Sequence, residues 1–411
     1  MIIDDSLKHK VLKNNILSLA QKAKSAKDNN PNVINATIGM LADEDNQFYT
    51  FKAVKEAMKN ISNYDAFSYS DTNGGHLFSQ AVLSWVFKDT LDSFKDNFYI
   101  KTIATPGGSG AISSLLTNYL LPNEVVLIPN YMWETYITFV KERNASYSTY
   151  SLYNDEFMFN INSLKEEIDK IKDKQKRIVL VINDPCHNPT GFCMSDTDYD
   201  ALIELLLSYK DNDFVLVMDI AYFDFYNVDG NIIRKRYQKL TKLTSNFLIN
   251  FAFSGSKTFG LYGLRIGMSI GLSKNEEEIN QFYNVIEYTA RNNWGSSSKL
   301  GISIINNILL NEEYLLMFKE EMKNVSKMLI KRSEVFLEEA RKEKLELLHF
   351  ECGFFVCVPT NDSISLMNKL KTRGVYVVPL KSCIRIALCA ISLDEARRLP
   401  KIIKEVIEEG K

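Results

Sequence analysis

From residue 98 onward the chain alternates short apolar runs with helical stretches, and this rhythm limits its fold more than any other feature. The runs are Tyr99–Ala104, Val125–Pro129, Ser146–Leu152, Arg177–Ile182, Phe214–Met218, Phe247–Phe253 and Met268–Leu272. Several are apolar throughout, with no polar face left over. Strands of that kind need cover on both sides, as in a largely parallel sheet between layers of helix. Helical patterns follow from Leu164, Asp198 and Glu277. The expected class is α/β, with a mostly parallel seven-stranded sheet flanked by helices. Ligands of such sheets gather beyond the carboxyl ends of the strands.

The flanks read differently. Residues 6–30 are polar and lysine-rich, with Leu12, Ile16, Leu17 and Leu19 at helical spacing, and Asn29-Asn30-Pro31-Asn32 ends the pattern. Val33 to Gly39 is a short extended segment. After about residue 302 a long charged helix, Lys319–Lys344, leads to the runs Leu348–Val358, Val375–Val378 and Ile384–Leu388, then a last helix, Leu393–Glu409. This predicts a smaller α+β domain that also draws on the N-terminal segment. The expected division is 1–48 for an N-terminal arm and small-domain segment, 49–310 for the large domain, and 311–411 for the small one.

Composition excludes several roles. Lys+Arg 49 against Asp+Glu 51 leaves a net charge of −2, which offers no general attraction to nucleic acid or an anionic membrane. No apolar run approaches the ~18 residues that cross a bilayer. The start, Met1-Ile2-Ile3-Asp4-Asp5, is acidic and does not read as a signal peptide. Six cysteines without a CxxC pair and four scattered histidines give no zinc signature, and free thiols suit a reducing cytoplasm.

The polar motifs fall just after the apolar runs. Lys257 follows Phe247–Phe253, with Ser254 before it and Arg265 eight residues on. A lysine in the wall of an α/β cleft loses its proton through desolvation and becomes a nucleophilic amine, able to form a Schiff base with an aldehyde. Ser254 and Arg265 supply a hydroxyl and a fork-shaped cation for a phosphate. Together they point to pyridoxal 5'-phosphate (PLP). The residue directly before Lys257 is Ser256, not the glycine of a nucleotide phosphate loop. The competing reading is a solvated surface loop.

Thr105-Pro106-Gly107-Gly108-Ser109-Gly110-Ala111 joins the first run to a helix over 112–120. Such a turn aims backbone N–H groups and a positive dipole end at an anion, and it also serves as a plain tight turn. Asn183-Asp184-Pro185-Cys186-His187-Asn188-Pro189-Thr190-Gly191 follows the fourth run. Asn188 there is a donor for a phenolate oxygen, and His187 reads better as structural than as an acid–base group. Asp219 ends the fifth run, three residues before Tyr222. An aspartate so placed pairs with a protonated pyridine nitrogen and makes the ring an electron sink; it also suits a helix cap.

Taken together, these motifs resemble fold-type-I PLP enzymes, specifically the class I aminotransferases of the aspartate/aromatic group, over nearly the full length. The resemblance rests on Tyr69 to Gly74, Gly107 to Ala111, Cys186 to Gly191, Asp219 with Tyr222, Ser254 with Lys257 and Arg265, and Ile384-Arg385. It implies that Lys257 bonds the cofactor, Asp219 meets its ring nitrogen, and Asn188 and Tyr222 hold its ring oxygen. It implies a phosphate cup of Gly108, Ser109, Ser254 and Arg265, completed by Tyr69 of a second subunit in a homodimer. Tyr131 takes the place of the aromatic that stacks on the ring, where the aspartate-specific branch has Trp; Trp133 is the alternative. Arg385 resembles the arginine that grips the substrate α-carboxylate, and Gly39 the glycine beside it. Arg291 falls where the distal-carboxylate arginine sits, supplied from the other subunit, although Ser296-Ser297-Ser298 replaces the family's proline-rich continuation; a surface arginine is the alternative. The resemblance implies exchange of an amino group between an L-amino acid and a 2-oxo acid, with glutamate and 2-oxoglutarate as the expected pair. Rival readings on the same scaffold are a β-lyase, a cyclopropane-forming synthase, a decarboxylase and a PLP-binding protein without catalysis.

Overall fold

The computed structural model describes Ile2, Lys8, Lys10, Val11 and residues 16–226 and 229–409. Leu12 lies outside the described residues. All seven apolar runs form one sheet: β1 (Tyr99–Thr105), β2 (Val125–Pro129), β3 (Ser146–Tyr150), β4 (Arg177–Asn183), β5 (Asp213–Asp219), β6 (Phe247–Ser254) and β7 (Gly267–Ser273). Their spatial order is β1-β7-β6-β5-β4-β2-β3. Only β7 runs against its neighbours, pairing antiparallel with both β1 and β6; the other pairs are parallel.

Sequence explains the burial. Every residue of β6, Phe247-Leu248-Ile249-Asn250-Phe251-Ala252-Phe253-Ser254, is buried. One face of the sheet packs Val179, Val181, Val215 and Val217 against Leu115 and Leu116 of the helix Gly107–Tyr119 and Phe282 and Ile286 of the helix Glu276–Asn293. Each such side chain contributes about 1.5–3 kcal/mol when fully buried. Asn250, the one polar residue inside β6, spends its Nδ2 on Ser269 Oγ of β7 at 2.7 Å. The strands β4, β5 and β6 end on Asn183, Asp219 and Ser254, and Asn183 stands directly opposite Asp219 in the ladder. The sheet therefore delivers polar groups to its carboxyl edge in register.

This sheet belongs to a compact unit of residues 49–330 and 349–354. A second unit gathers described residues up to Phe48 with Lys331–Leu348 and the stretch from Phe355 onward. Ile34–Asn35 pairs parallel with Val375–Tyr376 there. Val378–Pro379, Cys383–Ala387 and Phe355–Pro359 form an antiparallel sheet with Cys383–Ala387 in the middle. The helix Leu393–Glu408 opens with a capping box between Ser392 and Glu395, and Glu395 also pairs with Lys27 at 2.7 Å. The charged helix is longer than its sequence pattern, Glu312–Lys342. Its acidic first turn and basic last turn suit the helix dipole. Among the described residues no helix is long and apolar enough to cross a membrane.

Candidate active site

β6 ends on Ser254 and passes into a one-turn helix, Gly255–Thr258, that carries Lys257. Lys257 is half-buried, with Nζ 4.7 Å from the centre of the Tyr262 ring and 5.7 Å from that of Tyr222. Its mounting is rigid. Thr258 Oγ1 donates to Asp224 Oδ2 at 2.8 Å. The same carboxylate accepts from Trp85 Nε1 at 3.0 Å and pairs with buried Arg234 at 3.0 Å. An amine held against aromatic faces on a fixed turn has few rotamers to lose when it reacts.

A donor cluster lies beside this turn. The helix Gly107–Tyr119 starts inside the glycine run, so its first N–H groups and Ser109 sit directly after β1. Gly107 has φ +73°, and a Cβ there would fall 2.7 Å from Arg265 Nη2. Arg265 donates from Nη2 to Pro106 O at 3.2 Å, and from Nη1 to Ser256 Oγ at 3.0 Å and Tyr262 O at 3.1 Å. A Cβ on Gly108 would lie 3.4 Å from that of Ser254, which brings that hydroxyl residue to the helix start. A helix N-terminus, three hydroxyls and a guanidinium form a donor set that fits a phosphate dianion. Ser256, whose hydroxyl meets Arg265, is an addition to the residues read from the sequence.

Asp219 closes β5 and is buried. Its Oδ2 accepts the Tyr136 hydroxyl at 2.5 Å, its Oδ1 accepts the Ala221 N–H at 3.1 Å, and its backbone oxygen accepts Asn183 Nδ2 at 2.8 Å. Burial pushes the carboxyl above the ordinary aspartate range, while Tyr136, the Ala221 N–H and the Lys257 charge pull the other way. A buried carboxylate of this kind is stabilised by a cation placed against it, and a protonated ring nitrogen is such a cation. Tyr136 escaped the sequence reading because a tyrosine among Thr135, Ile137 and Phe139 looks like core; it is fully buried, and only its hydroxyl partner reveals more.

Asn183 also organises the next loop. Its Oδ1 accepts the Asn188 N–H at 2.8 Å, which fixes the residue carried just before Pro189. Asn188 and Tyr222 are both buried, and the Tyr222 ring meets that of Phe354 edge-on at 5.2 Å. His187 is fully buried, its Nδ1 3.0 Å from Thr190 Oγ1. Burial lowers its pKa to about 3, against an opposing pull from the Tyr131 backbone. A neutral, enclosed imidazole holds the turn together and takes up no further proton near neutral pH. Of the two candidate stacking aromatics, Trp133 packs edge-on against Tyr136 and Phe139 and joins the core. Tyr131 is half-buried and stacks at 6.1 Å and 17° on Tyr153.

Two of the sequence-derived residues are exposed in this chain, and two belong to the other compact unit. Tyr69 is 94% exposed, and Arg291 is exposed near the end of the helix Glu276–Asn293. Gly39 and Arg385 belong to the other compact unit, where they meet around one ring. The Arg385 guanidinium lies 4.2 Å over Phe355 and donates to Thr37 O at 3.1 Å. A Cβ on Gly39 would fall 2.4 Å from Phe355 Cζ, so the ring takes the space a side chain would need.

Comparison with known proteins gives the family. Residues 31–403 match the family described as aminotransferase class I and II. The chain is 25% identical to the aromatic-amino-acid aminotransferase of Escherichia coli over 406 residues, covering 95% of this chain and 97% of that one. It is 24% identical to the aspartate aminotransferase of Pseudomonas aeruginosa over 391 residues, covering 92% and 94%. The crystal structure of an aminotransferase from Anaerococcus prevotii superposes with a TM-score of 0.92 at 28% identity, covering all of both chains. The family match runs along nearly the whole chain, which therefore belongs to the class I and II aminotransferases, enzymes that work with PLP.

Proposed function

We propose that this enzyme transfers an amino group between an L-amino acid of the dicarboxylic or aromatic class and a 2-oxo acid, with glutamate and 2-oxoglutarate as one partner pair. The observation that carries the reading is Lys257 on its fixed turn with Asp219 close enough for each charge to act on the other. When bound, PLP supplies an aldehyde to take up the amine and a ring that stores the electrons released at the substrate Cα. Lys257 Nζ is the group that takes the Cα proton. The Asp219 carboxylate keeps the ring nitrogen protonated, Asn188 and Tyr222 bind the ring oxygen, and Tyr131 covers the ring. Gly108, Ser109, Ser254 and Arg265 hold the phosphate. In the smaller unit, Arg385 takes the α-carboxylate beside the backbone of Gly39. The aspartate and aromatic specificities named for the two curated relatives support the substrate class.

A homodimer with shared sites belongs to the same reading. Tyr64, Phe67, Tyr69 and Leu77 expose large apolar surface within one short stretch, a surface suited to a partner. Ser70 Oγ donates to Ser297 O at 2.7 Å, which ties the Tyr69 loop to the segment after Arg291. A second copy would then receive Tyr69 and Arg291 together. Six free thiols support a reducing, cytoplasmic setting. The test is a panel of single amino acids given to the purified holoenzyme. A true donor releases one 2-oxo acid per site with no acceptor present; release of carbon dioxide or of an eliminated side chain instead would assign a decarboxylase or a β-lyase.

A further inference from the structure

Three thiols that no sequence motif links meet beside the loop that carries Asn188. Cys352 Sγ lies 3.4 Å from Cys186 Sγ and 3.2 Å from Cys193 Sγ, and all three sulfurs lie within 4.8 Å of one another. Cys186 and Cys193 are buried, and Cys352 is partly exposed. All three belong to the unit that contains the sheet.

The backbone builds this meeting. The N–H groups of Glu351 and Cys352 both donate to Gly191 O at 3.1 Å, joining the segment 349–354 to the loop. Cys186 N–H donates to Cys193 Sγ at 3.2 Å. Cys186 has φ +58°, a left-handed conformation that strains a residue with a side chain. Gly353 has φ +105°, and a Cβ on it would fall 2.6 Å from the Cys186 Cβ, so a side chain there would push the two segments apart. Buried cysteines ordinarily act as small separate hydrophobes. Here three weak donors and acceptors are held in mutual contact.

We propose that Cys186, Cys193 and Cys352 form a binding site for a thiophilic divalent cation of the zinc class. Thiolate sulfurs select soft ions of this kind. Zinc–sulfur bonds of about 2.3 Å set tetrahedral ligand sulfurs roughly 3.8 Å apart, a few tenths of an ångström wider than the two closest contacts here. Binding releases the three thiol protons to solvent; three thiolates around a divalent ion leave one net negative charge, and a carboxylate as fourth ligand makes it two. Glu351 is the candidate fourth ligand: its Oε1 accepts the Cys193 N–H at 3.3 Å and lies 3.3 Å from His349 Nε2, a partner able to orient it. The ion fastens the Asn188 loop to the segment 349–354 and takes no part in the cofactor chemistry.

The test uses untagged, fully reduced holoenzyme titrated anaerobically with cadmium as the probe. The thiolate-to-cadmium absorption band should saturate at one ion per chain, and zinc should displace the probe. Cys352→Ser, chosen because that thiol is the least buried, should weaken binding at least tenfold, and Cys352→Ala gives the same comparison should the serine variant fold poorly. Cys389→Ser, outside the cluster, should bind as the parent does. No saturable band, equal affinity in the Cys352 variants, or a Cys193–Cys352 disulfide that reductant fails to open would each overturn the assignment.

Discussion

Tyr136, on the helix Thr135–Glu142, donates its hydroxyl to Asp219 across 2.5 Å. The bond gives Asp219 a buried partner that favours its charged form, against a desolvation that opposes it. Tyr136→Phe removes the donor and leaves the burial. The carboxyl should then rise further above the ordinary range, so the acid limb of the kcat/KM profile should move to higher pH. Loss of a hydrogen bond to a charged group costs about 1.5–3 kcal/mol. A pH profile that keeps its acid limb while the melting temperature falls would assign Tyr136 to packing alone.

Asp219→Ala tests the carboxylate itself. With no fixed charge at the ring nitrogen, turnover should drop on the order of 10²–10³-fold, the scale of lost electrostatic stabilisation in enclosed sites. A capping role alone would instead cost about 0.5–2 kcal/mol of stability and leave the rate per folded molecule intact. Single-turnover rates set beside melting curves separate these outcomes.

His187 sets a pH dependence of stability. Its folded pKa of about 3 lies below the ordinary value of 6.5. Between those values the unfolded chain binds a proton that the folded chain does not. Stability from this group is therefore complete above about pH 6.5 and falls as the pH drops toward 3, with a slope approaching 1.4 kcal/mol per pH unit. Denaturant melts of His187→Gln across that window should show a slope shallower by about one proton. An unchanged slope would mean that the imidazole is not held neutral.

These residues differ in how plainly the sequence announces them. The strands are legible because their runs are mostly apolar, and β4, β5 and β6 each extend one residue beyond the apolar run, onto Asn183, Asp219 and Ser254, because the hydrogen-bond ladder continues past the last apolar side chain. Val375–Val378 reads as one strand but divides at Val377. Val375–Tyr376 pairs with Ile34–Asn35, and Val378–Pro379 turns to Cys383–Ala387. Leu348–Val358 also reads as one strand. Its first half instead sends the N–H groups of Glu351 and Cys352 to Gly191 O, and only Phe355–Pro359 joins a sheet. The cysteine cluster is invisible in sequence because its closest sulfur contacts span 159 and 166 positions. Motifs held on one loop are readable; contacts made by long-range closure are not.

Arg291 bears on substrate choice. If it enters the neighbouring site as proposed, it forms a charge-assisted pair with the side-chain carboxylate of aspartate or glutamate. Removing one partner of such a desolvated pair costs on the order of 2–5 kcal/mol. Arg291→Ala should therefore lower kcat/KM for dicarboxylic donors by about one and a half to four decades and spare aromatic donors. Equal loss on both classes would indicate a structural role in the turn before Ser296, and no loss on either would leave Arg291 on the surface.

The most direct measurement concerns Lys257. The holoenzyme is treated with borohydride, denatured and digested, and the cofactor is located by mass spectrometry. The expected result is one reduced cofactor per chain, fixed to the peptide that carries Lys257. Lys257→Ala should retain PLP through the donor cluster of Gly108, Ser109, Ser254 and Arg265, yet show no covalent label and no turnover. Label on another lysine, or wild-type turnover in Lys257→Ala, would contradict the account.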